Sequence, residues 1–291
     1  MTNPVIQKIR LHGKEVDVLR LDKMTPSGIG NKYYKLKYNI ERAVSEGYTT
    51  LLSFGGAFSN HIHALAAVGQ QSGLKTIGVI RGEDDTRNPT LNFARASGME
   101  LYFTDRSLYR QKETADFLEQ MELRFSRFYM IPEGGSNELA VLGCREILHD
   151  VPNDYDHILL ACGTGATLAG VIATPGLKAN VIGIAVLKGK DTLSPKINEL
   201  IQPYNISTSW TVNFNYHLGG YAKWNADLMD FIHKNEEENM LETDPIYTSK
   251  VLWACADMLE HKLINKNHNV LIVHTGGLQG WDGWNYRYGN R

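Results

Sequence analysis

A lysine behind a glycine and an asparagine, at the opening of a helix, is the first residue in this chain whose type and position suggest covalent chemistry. In Gly30-Asn31-Lys32-Tyr33-Tyr34-Lys35-Leu36-Lys37, apolar or aromatic residues return at Tyr34, Tyr38 and Ala43, a roughly helical spacing that puts Lys32 in the first turn. A cation there opposes the helix dipole by a few tenths to about 1 kcal/mol, so the position suits an amine that works in its neutral form, as a carbonyl-capturing nucleophile does. Lys32 also reads as one solvated member of a lysine-rich helix, and the residue alone leaves both readings open.

A second set of candidates lies in glycine-bearing turns. Gly163-Thr164-Gly165-Ala166-Thr167 combines two glycines with two hydroxyl side chains between a strand and a helix. Such a turn exposes backbone N–H groups and adds hydroxyl donors, which suits a phosphate monoester. A dinucleotide fingerprint would need glycine where Leu168 stands and an acid closing the next strand, which instead ends Ala185-Val186-Leu187. A triphosphate loop would need Gly-Lys-Ser/Thr, which is absent. In Gly55-Gly56-Ala57-Phe58-Ser59-Asn60-His61, Ser59 reads as a helix N-cap or as a site hydroxyl, with Asn60 and His61 beside it. Thr243-Asp244-Pro245-Ile246-Tyr247-Thr248 precedes a further helix, where Thr248 is either the cap or a donor to a ring nitrogen and Tyr247 either packs or serves a site. His63 and His274 read as structural, and no metal site is expected, because no paired cysteines and no His-x-x-x-His helix facing an acid occur.

The elements that must position these residues alternate between strand and helix. Short apolar runs at 16–21, 50–54, 75–80, 100–103, 128–131, 157–162, 181–186 and 270–274 read as strands. Helical patterns fall between most of them, near 59–71, 89–96, 116–121, 138–148, 194–201, 225–233 and 248–261. Helical connections force parallel pairing, and ligands of such sheets sit beyond the carboxyl ends of the strands. Those ends carry Gly55-Gly56, Gly134-Gly135, Gly163 to Gly165 and Gly276-Gly277.

Composition narrows the partners. The chain has 291 residues, enough to bury roughly three quarters of its unfolded surface in one large or two modest α/β domains. A net charge of −2 with 21% charged residues gives no basic field for a nucleic acid. Cys144, Cys162 and Cys255 are scattered in apolar contexts and read as reduced core thiols of a cytoplasmic protein. No window approaches the ~20 apolar residues that span a bilayer, so no membrane partner is expected.

Taken in order, Gly30-Asn31-Lys32, Ser59-Asn60-His61, Thr164-Gly165-Ala166-Thr167, Asp244-Pro245-Ile246-Tyr247 and His274-Thr275-Gly276-Gly277 resemble the motif set of one family. It is the 1-aminocyclopropane-1-carboxylate deaminase and D-cysteine desulfhydrase family of pyridoxal-phosphate enzymes. The resemblance runs from about Val16 to Gly277 and implies the two-domain α/β fold of tryptophan synthase β-like type (fold type II), each domain a twisted, mostly parallel sheet flanked by helices. Residues 1–35 and 141–291 would form the large, cofactor-binding domain, with 36–140 inserted as the smaller one. By resemblance Lys32 matches the Schiff-base lysine, Asn60 the residue beside the cofactor's phenolic oxygen, and Ser59 a hydroxyl near the substrate's Cα and carboxylate, with His61 alongside. Thr164, Gly165, Ala166 and Thr167 match the phosphate cup, and Tyr247 and Tyr221 two active-site tyrosines; Gly163, Thr248 and Thr275 are counted with them as cofactor-binding.

Two of these positions separate the family's branches. Members that open the cyclopropane ring usually carry glutamate after the tyrosine of the Asp-Pro-x-Tyr motif and leucine before the last Gly-Gly, where this chain has Thr248 and Thr275. A hydroxyl leaves the pyridine nitrogen largely neutral and weakens the electron sink, which elimination of a thiol needs less than ring opening does. The expectation is therefore a D-cysteine desulfhydrase-like lyase, yielding a 2-oxo acid, ammonia and sulfide from a small amino acid. Lys32 is the expected Cα base, with Ser59 as runner-up or helper. Ring-opening deaminase activity and a cofactor-binding relative without turnover stay open. A homodimer is expected. The chain departs from the family at Arg20-Leu21-Asp22-Lys23-Met24 and in the tail Gln279-Gly280-Trp281-Asp282-Gly283-Trp284, which has no assigned place.

Overall fold

The structure, a computed structural model, describes residues 4–189 and 191–289. In chain order the strands are β1 (Ile6–Leu11), β2 (Lys14–Arg20), β3 (Thr50–Gly56), β4 (Lys75–Arg81), β5 (Met99–Thr104), β6 (Tyr129–Met130), β7 (His157–Cys162), β8 (Asn180–Ala185), β9 (Trp210–Asn213) and β10 (Val270–His274). The described residues divide into two compact units, one within 4–35 and 138–281 and the other within 36–137 and 282–289.

The first unit is built on a six-stranded sheet in the order β1-β2-β10-β7-β8-β9. All its pairs are parallel except β1 with β2, a hairpin with Ile6 opposite Leu19. Its two-residue turn is His12-Gly13, both with positive φ (46° and 75°), the conformation whose twist matches the flanking strands. The sequence reading contains neither β1 nor this antiparallel pair. Alternate residues of β7 enter two separate cores: Ile158, Leu160 and Cys162 pack with the helix Ala166–Ile172, whereas Leu159 and Ala161 pack with the helix Thr248–Glu260. A strand covered on both faces has no polar side, hence its unbroken apolar run.

The second unit carries a wholly parallel sheet in the order β5-β4-β3-β6. Leu52, Phe54, Ile77 and Val79 of this sheet pack with Phe117 and Met121 of the helix Ala115–Phe125. Side chains of Ser59, Asn88 and Thr114 cap the helices Asn60–Ser72, Pro89–Ala96 and Ala115–Phe125. The tail that had no place in the sequence reading forms a helix, Gly280–Tyr288. From Asp282 onward its residues group with the second unit, where the Tyr286 ring centre lies 6.1 Å from that of Phe58 and the Arg287 guanidinium 4.0 Å from it.

Candidate active site

The helix that carries Lys32 spans Asn31–Ser45. Its start is fixed by a backbone crossing with the segment that follows β10. Gly30 has φ +57°, and a Cβ there would fall 2.1 Å from the carbonyl oxygen of Thr275, a distance no side-chain atom tolerates. The Asn31 N–H donates to that same oxygen at 3.1 Å. Thr25 braces the turn from below, its hydroxyl accepting from Gly30 N–H at 2.8 Å and donating to Leu21 O at 2.9 Å. The Gly-Asn-Lys and Thr-Gly-Gly motifs are thus two halves of one contact.

From this start, three side chains reach each other or the turn after β7. Asn31 Nδ2 donates to Thr167 Oγ1 at 2.8 Å, and Lys32 Nζ donates to Asn31 Oδ1 at 3.1 Å. Lys35, one turn along the same helix face, donates to Thr164 Oγ1 at 3.2 Å. Burial pushes Lys32 down to about 8, opposed by Cys144 and Asp244. Burial pushes Lys35 down to about 7, and the neighbouring Lys32 charge pushes the same way. Burial also pushes Cys144 up to about 11 and Cys162 up to about 12, so both are neutral thiols, free and buried. Two amines held partly neutral beside two hydroxyls form an electron-poor cluster able to take a dianion and to offer a nucleophilic nitrogen.

The helix Thr248–Glu260 begins in the same unit. The N–H groups leading into it, and its first, are satisfied by Asp244, whose carboxylate accepts from Ile246 at 3.0 Å, Tyr247 at 2.7 Å and Thr248 at 2.8 Å. Thr248 therefore does not cap this helix. Its own hydroxyl is buried with no hydrogen-bond partner among the described residues. The Tyr221 and Tyr247 rings meet edge to face, 6.2 Å between centres. His274 is fully buried, its Nε2 donating to Glu242 O at 2.9 Å while its Nδ1 accepts from Gly276 N–H at 3.2 Å. Burial holds it below the usual range, in keeping with a neutral structural ring. In the second unit, Asn60 and His61 are buried behind the Ser59 cap, and His61 Nε2 lies 2.8 Å from Ser53 Oγ, whose hydroxyl donates to Ile131 O at 2.7 Å.

A model of the family described as "Pyridoxal-phosphate dependent enzyme" matches residues 3–276. The chain belongs to this pyridoxal-phosphate dependent family. A Thermotoga maritima protein provisionally named 1-aminocyclopropane-1-carboxylate deaminase is 30% identical over 286 residues, covering 92% of this chain and 90% of its own. D-Cysteine desulfhydrase of Klebsiella pneumoniae is 27% identical over 289 residues, covering 91% and 87%. A solved structure described as an ACC deaminase homologue superposes with a TM-score of 0.83 at 24% identity, covering 96% of this chain and 91% of that one. The motif resemblance is thereby borne out at the level of the family, and the fold is that of the type II pyridoxal-phosphate enzymes.

The residues present fit pyridoxal phosphate. The group calls for an amine for its aldehyde, donors for its phosphate and a partner for its ring nitrogen. The first unit offers Lys32, then Lys35 with Thr164 and Thr167, and the unpartnered Thr248 hydroxyl. Lys35, Asn31 and Asp244 were not singled out from sequence as site residues. Lys35 had a legible signal, since it stands three residues from Lys32 and so on the same face of the helix.

Proposed function

We propose that the chain is a pyridoxal-phosphate dependent lyase of D-cysteine desulfhydrase-like activity, acting on a small amino acid with a β-leaving group. The observation that carries this reading is the buried Thr248 hydroxyl, with the neighbouring carboxylate of Asp244 already taken up by three backbone N–H groups. A hydroxyl at that position supports a largely neutral ring nitrogen and an electron sink sufficient for thiolate departure. When bound, pyridoxal phosphate withdraws electrons from the substrate's Cα and makes its proton acidic.

The chain's own residues do the rest. Lys32 would hold the cofactor through its amine and would serve as base for the Cα proton; its lowered pKa of about 8 makes the neutral form far more accessible near neutral pH than in an ordinary lysine, and Asn31 Oδ1 fixes where its amine sits. Lys35, Thr164, Gly165, Ala166 and Thr167 would hold the phosphate, and Gly163 and Thr275 would shape the surrounding backbone. Tyr247 and Tyr221 orient the substrate. Ser59, Asn60 and His61 are assigned to substrate, with Asn60 also to the cofactor's phenolic oxygen, on the motif match. Departure of a β-thiolate and hydrolysis give a 2-oxo acid, ammonia and sulfide; D-cysteine and water would give pyruvate, ammonia and hydrogen sulfide.

A second reading, ring opening of 1-aminocyclopropane-1-carboxylate, is favoured by the name of the Thermotoga relative. One experiment separates the readings. Purified protein loaded with cofactor should absorb in the visible, borohydride should fix the label on the Lys32 peptide, and D-cysteine but not the cyclopropane substrate should yield 2-oxo acid. A colourless protein that ignores added cofactor defeats both readings; colour without product from any amino acid leaves a cofactor-binding relative. Thr248→Glu is expected to lower elimination by about tenfold by changing the ring nitrogen's protonation, and an unchanged rate would refute the branch assignment. The protein is proposed to work as a cytoplasmic homodimer, read by sedimentation and fractionation. Among the described residues no helix is long and apolar enough to cross a membrane.

A further inference from the structure

Lys250 is completely buried in the first turn of the helix Thr248–Glu260, where a cation opposes the helix dipole and burial pushes its pKa down to about 8. A lysine in so unfavourable a place needs compensation, and its amine finds it outside the helix. Nζ donates to His217 O at 3.1 Å and to Gly220 O at 3.4 Å. The same two oxygens already close the loop's own turns, accepting from Gly220 N–H at 3.0 Å and Lys223 N–H at 3.2 Å. The loop so held is strained: Leu218, Gly219, Gly220 and Ala222 have φ of +55°, +99°, +131° and +53°. Two non-glycine residues in the left-handed region within five positions persist only when their surroundings over-determine them.

Between those strained residues stands Tyr221, whose ring meets that of Tyr247, three residues before Lys250. We propose that Lys250 is a positioning residue that clamps the strained loop 217–222 to the start of the helix Thr248–Glu260, and so sets Tyr221 against Tyr247 for substrate. The tyrosine pair as part of the substrate site rests on the reading given under Proposed function; the clamp itself does not. A primary amine keeps two N–H donors when neutral and three when charged, so both carbonyls are served in either state.

Hydrogen exchange of the full chain, with and without cofactor, tests the clamp. In the wild type the amides of Gly220 and Lys223 are expected to exchange at least about tenfold more slowly than an unstructured chain; exchange at the unstructured rate overturns the proposal whatever any variant does. Lys250→Met keeps the stem and removes the donor. It should speed exchange across 217–223 by about tenfold, raise KM for D-cysteine by about tenfold with kcat within about twofold, and leave the visible cofactor band unchanged. Lys250→Gln, which keeps a terminal N–H donor, should fall between. Unaltered exchange in a folded Lys250→Met variant refutes the clamp. Faster exchange with an unaltered KM refutes the positioning role, while the cofactor band and the Lys32 label report separately on the parent reading.

Discussion

Each unit has a glycine-bearing turn from a strand into a helix, and the two turns treat the helix start in opposite ways. After β3, Ser59 caps its own helix, its hydroxyl accepting the Ile62 N–H at 3.3 Å. After β7 the position equivalent in role is Gly165, with φ +94° and no side chain to cap anything. Charge and amide donors come instead from a distant part of the chain, with Lys35 on Thr164 and Asn31 on Thr167, 129 and 136 residues away. A turn capped by its own serine does not call for an anion at its helix start. A turn without a cap, fronted by an amine and hydroxyls, is the one proposed to be completed by an anion. What distinguishes the two glycine-bearing βα turns, and makes the second the candidate phosphate site, is the side chains that the rest of the fold aims at it more than its glycines.

Removing Lys32 strikes the comparison where the expected effect is largest. Lys32→Ala should lower turnover by more than about a thousandfold and abolish the borohydride-stable label, because no other first-turn residue supplies a nucleophilic nitrogen at that place. Residual turnover within about tenfold of wild type, measured as 2-oxo acid from D-cysteine, would mean the chemistry lies elsewhere.

Lys35 sharpens the same contrast with a smaller loss. Lys35→Met should weaken cofactor binding by about 10- to 100-fold, the worth of a charge-assisted hydrogen bond, while covalent capture by Lys32 persists. Inorganic phosphate should raise the melting temperature of the cofactor-free wild type and not of Lys35→Met; equal protection of both would detach Lys35 from the anion. The pH dependence has a defined sign. Both lysines sit below their unfolded value, Lys32 near 8 and Lys35 near 7, so between those values and about 10.4 the unfolded chain binds more protons and stability rises with pH. The buried thiols, raised in the fold, act oppositely above about 8.5. Lys35→Met removes the charge that lowers both thiols as well as its own titration, so the comparison of cofactor-free wild type with the variant is made between about pH 6 and 8, below the range in which the thiols ionise. The variant should be more stable below pH 7, by about 1 kcal/mol or more, and its advantage should shrink toward pH 8. An advantage independent of pH would show that Lys35 is not buried as a titrating amine.

What was legible in the sequence follows the same line between local and distant causes. β7 and the helix Pro89–Ala96 were read with the bounds the structure gives, because each has a pattern complete in itself: an apolar run covered on both faces, and proline at a first helical position. β1 was not read, since Ile6–Leu11 is an edge strand whose Gln7, Lys8 and Arg10 interrupt the apolar signal. β9 is a four-residue edge strand with too short a pattern to register. The helix expected over 138–148 stops at Cys144, although Ile147 and Leu148 remain buried, because apolar spacing marks burial and does not distinguish helix from the successive turns that follow. Within the site, Lys32 and the turn at 163–167 were visible as local motifs. Asn31 as a bridge to Thr167, and Lys250 as a clamp on 217–220, depend on contacts across the fold that no window of sequence contains.

The smallest effect falls on the capped turn and decides whether Ser59 serves only its own helix. Ser59→Ala should cost about 1 kcal/mol of stability through the lost cap, seen as a lower denaturant midpoint with unchanged slope. That loss alone does not separate a cap from a substrate hydroxyl. Ser59→Asp does, because aspartate caps a helix as well as serine but presents negative charge where a substrate carboxylate is proposed to lie. If Ser59 has both roles, Ser59→Asp retains wild-type stability while KM for D-cysteine rises by about tenfold or more and the cofactor band stays. Should Ser59→Asp match the wild type in both stability and KM, Ser59 is a cap and nothing else. The contrast between the two turns would then be complete, one closed upon itself and the other open to its ligand.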